Sequence, residues 1–248
     1  MTLKGVKKAA RELGLATAYR IRYGNKGEGN VADSFHRLYY DQNIHHKTWK
    51  DTRWMGVPVQ KCPFDLWVYQ ELIHAIQPDL IVETGTLMGG SAYYFASLLD
   101  LLGKGDVLTI DVDDLPTTLA SVNLKPERAR PEHPRITYLR GSSTSPEIVK
   151  QVFERKPASG NVLVILDSDH RKDHVLQELR LYKALVPVGG YLVVEDSNIN
   201  GHPVYESFGP GPMEAIDEWL GENRDFSPDR DLERHLFSFN PRGYLRRI

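Results

Sequence analysis

Carboxylate side chains directly follow two apolar runs of the sequence. Asp167 comes after the run 162–166, and Glu195 and Asp196 come after the run 191–194. If the two runs are neighbouring parallel strands, these acids lie at one edge of the sheet and repel one another unless a cation separates them. Carboxylate oxygens are the ligands that Mg²⁺ and similar hard cations prefer. The sequence therefore predicts a metal site formed by Asp167, Glu195 and Asp196.

A histidine lies close enough to this site to take part in proton transfer. His170 stands three positions after Asp167, and an imidazole has an intrinsic pKa suited to accepting a proton near neutral pH. A divalent cation lowers the pKa of a hydroxyl group, so metal and base together suit the activation of an alcohol. His170 is the predicted general base, and His174 and His202 are weaker candidates. The alternative for His170 is a loop histidine that only satisfies backbone groups.

A glycine-rich segment, residues 83–91, joins another apolar run to a helical pattern. Glycines let the backbone approach a ligand closely, and the N–H groups at a helix start suit a carboxylate. A dinucleotide-binding loop has the spacing Gly-x-Gly-x-x-Gly, whereas this segment starts with Glu83 and has glycines two and six positions later. An acid there repels a pyrophosphate but accepts hydrogen bonds from an ammonium or a ribose hydroxyl. The loop therefore favours S-adenosylmethionine over NAD, and a turn without a ligand is the alternative interpretation.

Two further positions extend the predicted cofactor site. Asp111 ends the run 107–110, where a carboxylate accepts hydrogen bonds from ribose hydroxyls. Ser142 and Ser143 follow the run 136–139, where their hydroxyl groups suit the edge of an adenine. The full set of predicted cofactor-binding residues is Glu83, Gly85, Thr86, Ser91, Asp111, Ser142, Ser143 and Asp167.

The elements that position these residues alternate regularly from residue 63 onward. Five continuously apolar runs, typical of strands buried on both faces of a parallel sheet, cover residues 80–82, 107–110, 136–139, 162–166 and 191–194. Helical patterns cover residues 63–76, 91–102, 117–123, 145–155 and 172–186. Pro63 suits the first turn of the first helix, and Pro78 ends it. This alternation predicts an α/β fold with a doubly wound, mostly parallel sheet.

The two ends of the chain depart from this alternation. Residues 235–239 and 244–247 are predicted to form an antiparallel hairpin, with residues 240–243 as its turn. A mostly parallel sheet that ends in such a hairpin is typical of the Rossmann-like class I methyltransferases. Residues 1–60 contain a basic stretch, a glycine-rich break and an aromatic segment. We expect them to form a helical lid or an oligomerisation segment, followed by a methyltransferase domain over residues 61–248.

Composition excludes several other classes of protein. The 248 residues carry a formal net charge of −2, which gives no reason to expect a nucleic acid as partner. No window approaches the ~20 apolar residues that a membrane span requires. The single cysteine, Cys62, excludes an intramolecular disulfide and a cysteine metal cluster. The N-terminus lacks the apolar core of a secretory signal, and we expect a cytoplasmic protein.

Taken together, these motifs resemble the cephalosporin hydroxylase and rhamnosyl O-methyltransferase family. The similarity spans about residues 50–248 and is carried by the segments Trp54-Met55-Gly56-Val57-Pro58, Gln60-Lys61-Cys62-Pro63, Glu83 to Ser91, Asp167 to His170, and Glu195-Asp196. The resemblance implies a methyltransferase Rossmann fold, an S-adenosylmethionine site and Mg²⁺ dependence. It also implies that Asp167, Glu195 and Asp196 hold the metal and that His170 is the base. An iron oxygenase is disfavoured, because it requires two histidines and a carboxylate around the metal.

The implied acceptor is a hydroxyl group of a sugar, such as a mannoside, a rhamnoside or another oligosaccharide. The alternatives are methylation of a small phenol, a catechol or an antibiotic intermediate. Two further alternatives belong to other classes, namely a nicotinamide-dependent oxidoreductase and a non-catalytic S-adenosylmethionine-binding module. The separate N-terminal segment makes a homodimer the expected assembly.

Overall fold

The computed structural model describes residues 28–45, 48–112 and 130–248. Two expectations lie outside these residues, namely the basic stretch that precedes residue 28 and the helix over residues 117–123. Within the described residues the α-helices are α1 (Glu28–Asp41), α2 (Pro63–Ile76), α3 (Gly90–Leu102), α4 (Pro146–Glu154), α5 (Lys172–Tyr182) and α6 (Pro212–Glu222). The strands are β1 (Arg53–Trp54), β2 (Val57–Pro58), β3 (Leu80–Thr84), β4 (Asp106–Asp111), β5 (Ile136–Arg140), β6 (Val162–Leu166), β7 (Tyr191–Val194), β8 (Phe226–Pro228) and β9 (Tyr244–Arg247).

Strands β3 to β9 form one sheet in the order β5-β4-β3-β6-β7-β9-β8. Strands β3 to β7 run parallel, and β9 runs antiparallel to both of its neighbours, β7 and β8. The order reverses between β3 and β6, because β4 and β5 lie on one side of β3 while β6 and β7 lie on the other. Ligands of such sheets bind at the carboxyl ends of the strands, at this point of reversal. The predicted doubly wound α/β sheet is confirmed.

Helices cover both faces of the sheet, which explains the continuous apolar runs. Val82 and Val164 pack into the same core cluster as the buried side chains of α4, α5 and α6. Their neighbours Ile81 and Ile165 pack into the second cluster, with α2 and α3. Successive strand residues point to opposite faces, so a strand buried on both faces needs an apolar residue at every position.

The predicted C-terminal hairpin is wrong in one of its two strands. Strand β9 is formed as expected, but its antiparallel partner is Phe226–Pro228 and not residues 235–239. The backbone N–H of Phe239 instead donates to the carboxylate of Asp65 over 2.8 Å. The ring of Phe237 packs edge-on against residues of α1. Contacts with other parts of the chain therefore replace the strand pairing that the alternating pattern predicts.

Helix α6 is absent from the helical patterns that the sequence predicts, which end at residue 186. The helix begins at Pro212, and the Glu214 carboxylate accepts a hydrogen bond of 2.7 Å from the N–H of Gly211. Ile216 and Trp219 are buried against the sheet. A proline in the first turn, an acid at the third position and apolar residues at helical spacing are the signals that identify such a helix.

Helix α1 packs against the C-terminal part of the chain through aromatic rings. The His36 ring stacks on Phe239 with an interplanar angle of 1°, and its Nε2 accepts a hydrogen bond of 2.8 Å from Asn198. Burial, helped by the neighbouring Arg37 charge, lowers the pKa of His36 to about 4. The N-terminal segment therefore rests on the C-terminal part of the chain, and its role as a lid or oligomerisation element stays a prediction. None of the helices in the described residues is long and apolar enough to cross a membrane.

Candidate active site

A cavity of about 690 Å³ opens where the carboxyl ends of the parallel strands meet. Its volume lies within the usual range for sites that bind small molecules. One part of the wall comes from the loops that follow β3, β4 and β5, and includes Gly85, Thr86, Ser91, Asp111, Ser142 and Ser143. Another part comes from the ends of β6 and β7, and includes Asp167, Ser168, His170, His174 and Asp196. Aromatic residues complete the wall, namely Tyr40, Trp49, Tyr205 and Phe208.

Two glycines fix the loop after β3 by close backbone packing. Gly85 has a φ of +87°, and a Cβ at this position would lie 1.8 Å from the carbonyl oxygen of Asp167. A Cβ on Gly90 would lie 1.9 Å from the carbonyl oxygen of Pro58. Both positions therefore exclude a side chain. The glycines seat this loop directly on the end of β6 and on the segment before α2, so that it forms one wall of the cavity.

Asp111 links the end of β4 to this loop. Its Oδ2 accepts a hydrogen bond of 2.9 Å from the N–H of Leu87 and a second, of 3.3 Å, from Arg130. Arg130 also donates to the carbonyl oxygen of Leu87 over 2.9 Å. The carboxylate that the sequence assigns to the ribose therefore also holds the loop in place.

Glu83 is buried beneath the cavity and does not line it. Its Oε2 accepts a hydrogen bond of 2.7 Å from the hydroxyl of Thr109. Burial raises the pKa of Glu83 to about 7, although the Lys61 charge opposes this shift. The other seven predicted cofactor-binding residues all line the cavity, whereas a direct contact between Glu83 and a cofactor stays a prediction.

Asp167, His170 and Asp196 form a cluster at the end of the cavity near β6 and β7. Each offers one ligand atom, and these atoms lie within 4.8 Å of one another, which is close enough to hold a metal ion. The His170 Nε2 lies 3.2 Å from Asp196 Oδ2 and 4.0 Å from Asp167 Oδ1. Burial raises the pKa of both carboxyl groups. Asp196 has a φ of +53°, which is uncommon for residues other than glycine and is found at functional sites.

Glu195, the third predicted metal ligand, faces a different partner. Its Oε1 accepts hydrogen bonds of 2.6 Å from Lys61 Nζ and 2.6 Å from the Tyr69 hydroxyl. The structure thus brings two of the three predicted ligands together with the predicted base. Glu195 lies beside them on the neighbouring backbone position, and its role as a metal ligand stays a prediction.

Lys61 is the main feature of the site that the residue patterns did not reveal. Its side chain is only 3% exposed, and Nζ lies 2.5 Å from Asp167 Oδ2 and 2.6 Å from Glu195 Oε1. Burial acts to lower the pKa of Lys61, but the surrounding carboxylates outweigh burial and hold this pKa above its usual value. The signal in the sequence was the position of Lys61 just before the apolar helix α2. If a lysine at such a position is buried, its charge requires a buried partner of opposite charge.

A family model described as "Rhamnosyl O-methyltransferase/CmcI" matches residues 46–248. The chain belongs to this family. A curated rhamnosyl O-methyltransferase of Mycobacterium tuberculosis (strain ATCC 25618 / H37Rv) is 41% identical over 219 residues, which cover 87% of this chain and 84% of that protein. The Mycobacterium leprae (strain TN) protein of the same name is 36% identical over 220 residues, covering 87% and 90%.

Solved structures of CmcI share the fold of this rhamnosyl O-methyltransferase/CmcI family member. A CmcI structure with Mg and SAM aligns with a TM-score of 0.59 at 24% identity, covering 80% of this chain and 77% of that chain. A CmcI structure with SAH aligns with a TM-score of 0.53 at 20% identity, covering 84% and 90%. The predicted family and the predicted class I methyltransferase fold are confirmed.

The two weaker candidates for the base lie farther from the acidic cluster of this family member. The His174 Nε2 lies 3.2 Å from the Ser143 hydroxyl, 3.1 Å from the Ser168 hydroxyl and 3.5 Å from the Glu178 carboxylate. His202 pairs with Glu214 over 2.8 Å and does not line the cavity. Among the three candidates, His170 alone belongs to the cluster that could hold a metal.

Proposed function

We propose that this protein is an S-adenosylmethionine-dependent, Mg²⁺-dependent O-methyltransferase that methylates a hydroxyl group of a sugar. The observation that carries the proposal is the cluster of Asp167, His170 and Asp196 in the same cavity as the loop after β3. Relatives that bear the name rhamnosyl O-methyltransferase support the sugar acceptor. The CmcI structure with Mg and SAM supports the two cofactors.

The chemistry of the cavity wall fits S-adenosylmethionine. The start of α3 follows the loop and offers N–H groups to the carboxylate of the amino acid moiety. Asp111 lies at the end of β4, where a carboxylate accepts ribose hydroxyls. Ser142 and Ser143 offer hydroxyl groups to the adenine. When bound, the cofactor supplies an electrophilic methyl group.

The acidic cluster fits a hard divalent cation, because Asp167 and Asp196 offer carboxylate oxygens to one point of the cavity. Asp167 and Asp196 would hold the ion, with Glu195 as an additional ligand. When bound, the cation supplies positive charge that favours loss of the proton from an acceptor hydroxyl. The carboxylates themselves stay assembled through hydrogen bonds, since Asp167 accepts from Lys61 and the N–H of Asp196 donates to Asn240 Oδ1 over 3.1 Å.

His170 takes up the proton of the acceptor in this proposal. Its side chain is 26% exposed and lines the cavity, so an acceptor hydroxyl can approach the ring. The Asp196 carboxylate, 3.2 Å away, orients the ring and compensates the positive charge that the ring gains with the proton. A histidine that ligates the metal cannot also serve as the base, and replacing His170 by asparagine separates the two roles.

The aromatic part of the cavity wall suits a sugar acceptor. Tyr40 and Trp49 stack on each other, and Tyr205 packs edge-on against Phe208. Aromatic faces bury the apolar C–H surfaces of a sugar ring, while the phenol groups hydrogen-bond its hydroxyls. We therefore place the acceptor between these residues and the acidic cluster.

We further propose that the enzyme works in the cytoplasm as a homodimer. Large apolar side chains of α1 and α2 are exposed side by side, since Phe35 and Phe64 both contact Phe237. Neighbouring apolar side chains on a surface often mark contacts between proteins. Sedimentation equilibrium of the purified chain tests the dimer, and a monomer at micromolar concentration would overturn it.

The first experiment is a calorimetric titration with S-adenosylhomocysteine, followed by an acceptor panel of rhamnosides, mannosides and catechols. We expect one binding site per chain and mass-spectrometric detection of a methylated sugar that disappears when EDTA is added. Absence of binding would contradict the cofactor assignment. Methylation of catechols alone would contradict the sugar acceptor, and turnover that survives the chelator would contradict the metal.

A further inference from the structure

Lys61 occupies the centre of the buried charges beneath the cavity. Its Nζ bridges Asp167 and Glu195 over 2.5 and 2.6 Å, and Glu83 also acts on its charge. The side chain does not line the cavity, so it cannot reach an acceptor. Lys61 is therefore unsuited to be a base, and its effect on the reaction has to pass through the carboxylates that it contacts.

Asp167 is shared between Lys61 and the cavity. Its Oδ2 accepts from Lys61, whereas its Oδ1 is the oxygen 4.0 Å from His170 Nε2. The short bond to Lys61 thus fixes the carboxylate so that the other oxygen faces the cluster. Glu195 is fixed on the opposite side of the ammonium by Lys61 and Tyr69.

Glu195 is buried and Asp167 is only partly exposed, and carboxylates held together in such surroundings need a compensating charge. In metal-dependent sites that charge is often the metal itself, and such sites are disordered or unstable until the metal binds. Here a side chain of the protein lies between two of the acids and supplies the charge.

We propose that Lys61 is a positioning residue whose ammonium keeps the acidic cluster assembled before the divalent cation binds. This inference rests on the proposed function, because it concerns the metal site of the same cavity. It predicts that the wild-type protein folds with its cluster in place in the presence of EDTA. It also predicts that a protein without the ammonium depends on a divalent cation for stability.

Thermal unfolding of three full-length variants tests this inference. Lys61→Met removes the charge and keeps an unbranched side chain, and Lys61→Arg keeps the charge. Tyr69→Phe is the matched control, since it removes a hydrogen bond to Glu195 but no charge. Each protein is heated once in EDTA and once in about 10 mM MgCl2. At this concentration, binding of Mg²⁺ to the folded state should by itself raise the Tm of wild type only modestly.

We expect Lys61→Met to lose roughly 8–15 °C in EDTA, because one partner of a buried ion pair is removed from a protein of this size. MgCl2 should raise the Tm of Lys61→Met at least about twice as much as that of wild type. Tyr69→Phe and Lys61→Arg should gain no more from MgCl2 than wild type does. If Lys61→Met cannot be purified as a folded protein, Lys61→Gln also removes the charge and allows the same comparison of Tm in EDTA and in MgCl2.

Equal losses for Lys61→Met in EDTA and MgCl2 would overturn the inference, because they would show a purely structural role. A Tm in EDTA equal to that of wild type would overturn it as well. Failure of the proposed function is distinguishable, because it would leave wild type without S-adenosylhomocysteine binding or sugar methylation. The difference in Tm between the variants does not depend on either of those measurements.

Discussion

Replacing His170 by asparagine separates the two roles that its position allows. Asparagine keeps a polar side chain beside Asp196 but does not take up a proton near neutral pH. If His170 is the base, kcat falls while the dissociation constants for S-adenosylhomocysteine and Mg²⁺ stay unchanged. Removal of a group that acts only in the transition state lowers kcat without weakening binding.

The size of the effect follows from the surroundings of the ring. A general base contributes about 10²–10⁴-fold, or roughly 3–5 kcal/mol of transition-state stabilisation. The carboxylate of Asp196 lies 3.2 Å from the ring, and the ring is 26% exposed to solvent. Water can therefore replace part of its action, and we expect a loss in the lower half of that range, about 10²–10³-fold in kcat.

Initial rates with S-adenosylmethionine, Mg²⁺ and a rhamnoside measure kcat, and calorimetry measures the two dissociation constants. His202→Asn is the control, since His202 pairs with Glu214 and does not line the cavity. We expect its kcat to equal that of wild type. An unchanged kcat for His170→Asn would refute the assignment and move the role to His174. A parallel loss of Mg²⁺ affinity would show that His170 is a metal ligand.

Four further predictions concern the site and the packing of the N-terminal helix. Asp167→Ala should abolish turnover while S-adenosylhomocysteine still binds in calorimetry. Tyr205→Ala should raise the acceptor KM by about tenfold, worth roughly 1.4 kcal/mol, with cofactor affinity unchanged; a parallel loss of both would count against the acceptor site. Gly85→Ala should lower Tm by about 6–12 °C, since its Cβ would lie 1.8 Å from a carbonyl oxygen. Gly103→Ala is the control: the added Cβ has open space around it, and this substitution should change Tm less. Burial lowers the pKa of His36 to about 4, so this side chain stays neutral in the folded protein while it gains a proton in the unfolded chain below about pH 6.5. Between pH 6.5 and 4 the free energy of unfolding of wild type should therefore fall by up to about 3 kcal/mol relative to that of His36→Gln. Equal pH profiles of the two proteins in urea unfolding would contradict this.

The fold followed from the sequence wherever burial on both faces dictated residue type. The run 162–166 is apolar at every position because its side chains enter two different cores. Residues 235–239 misled the same reasoning, because their alternating aromatic residues resemble a half-buried strand. Their partner is α1, some 200 positions away along the chain, as the contact between His36 and Phe239 shows. A local pattern of residue types carries no information about such a distant partner. The contact between α1 and residues 235–239 could therefore not be predicted from the sequence.

Within the site, sequence reasoning identified the acids but not the way each one faces. Glu195 and Asp196 are consecutive, and their positions in the sequence alone do not say which way each side chain faces. The structure turns Glu195 towards Lys61 and Asp196 towards the cavity. That choice depends on the positive φ of Asp196 and on a lysine 134 positions from Glu195. Neither is visible in the spacing of the acids.

Asp167 connects three parts of the site that lie far apart in the sequence. Its carbonyl oxygen packs against Gly85 of the loop after β3, its Oδ2 accepts a hydrogen bond from Lys61, and its Oδ1 faces His170. A displacement of the loop after β3 therefore also displaces the carboxylate that the base and the metal would share. Because closely packed backbone transmits small shifts, we expect cofactor binding at this loop to affect the geometry of the acidic cluster. In the proposed function, the backbone of Asp167 would thus support the loop that binds the methyl donor, while its carboxylate would hold the metal that activates the acceptor.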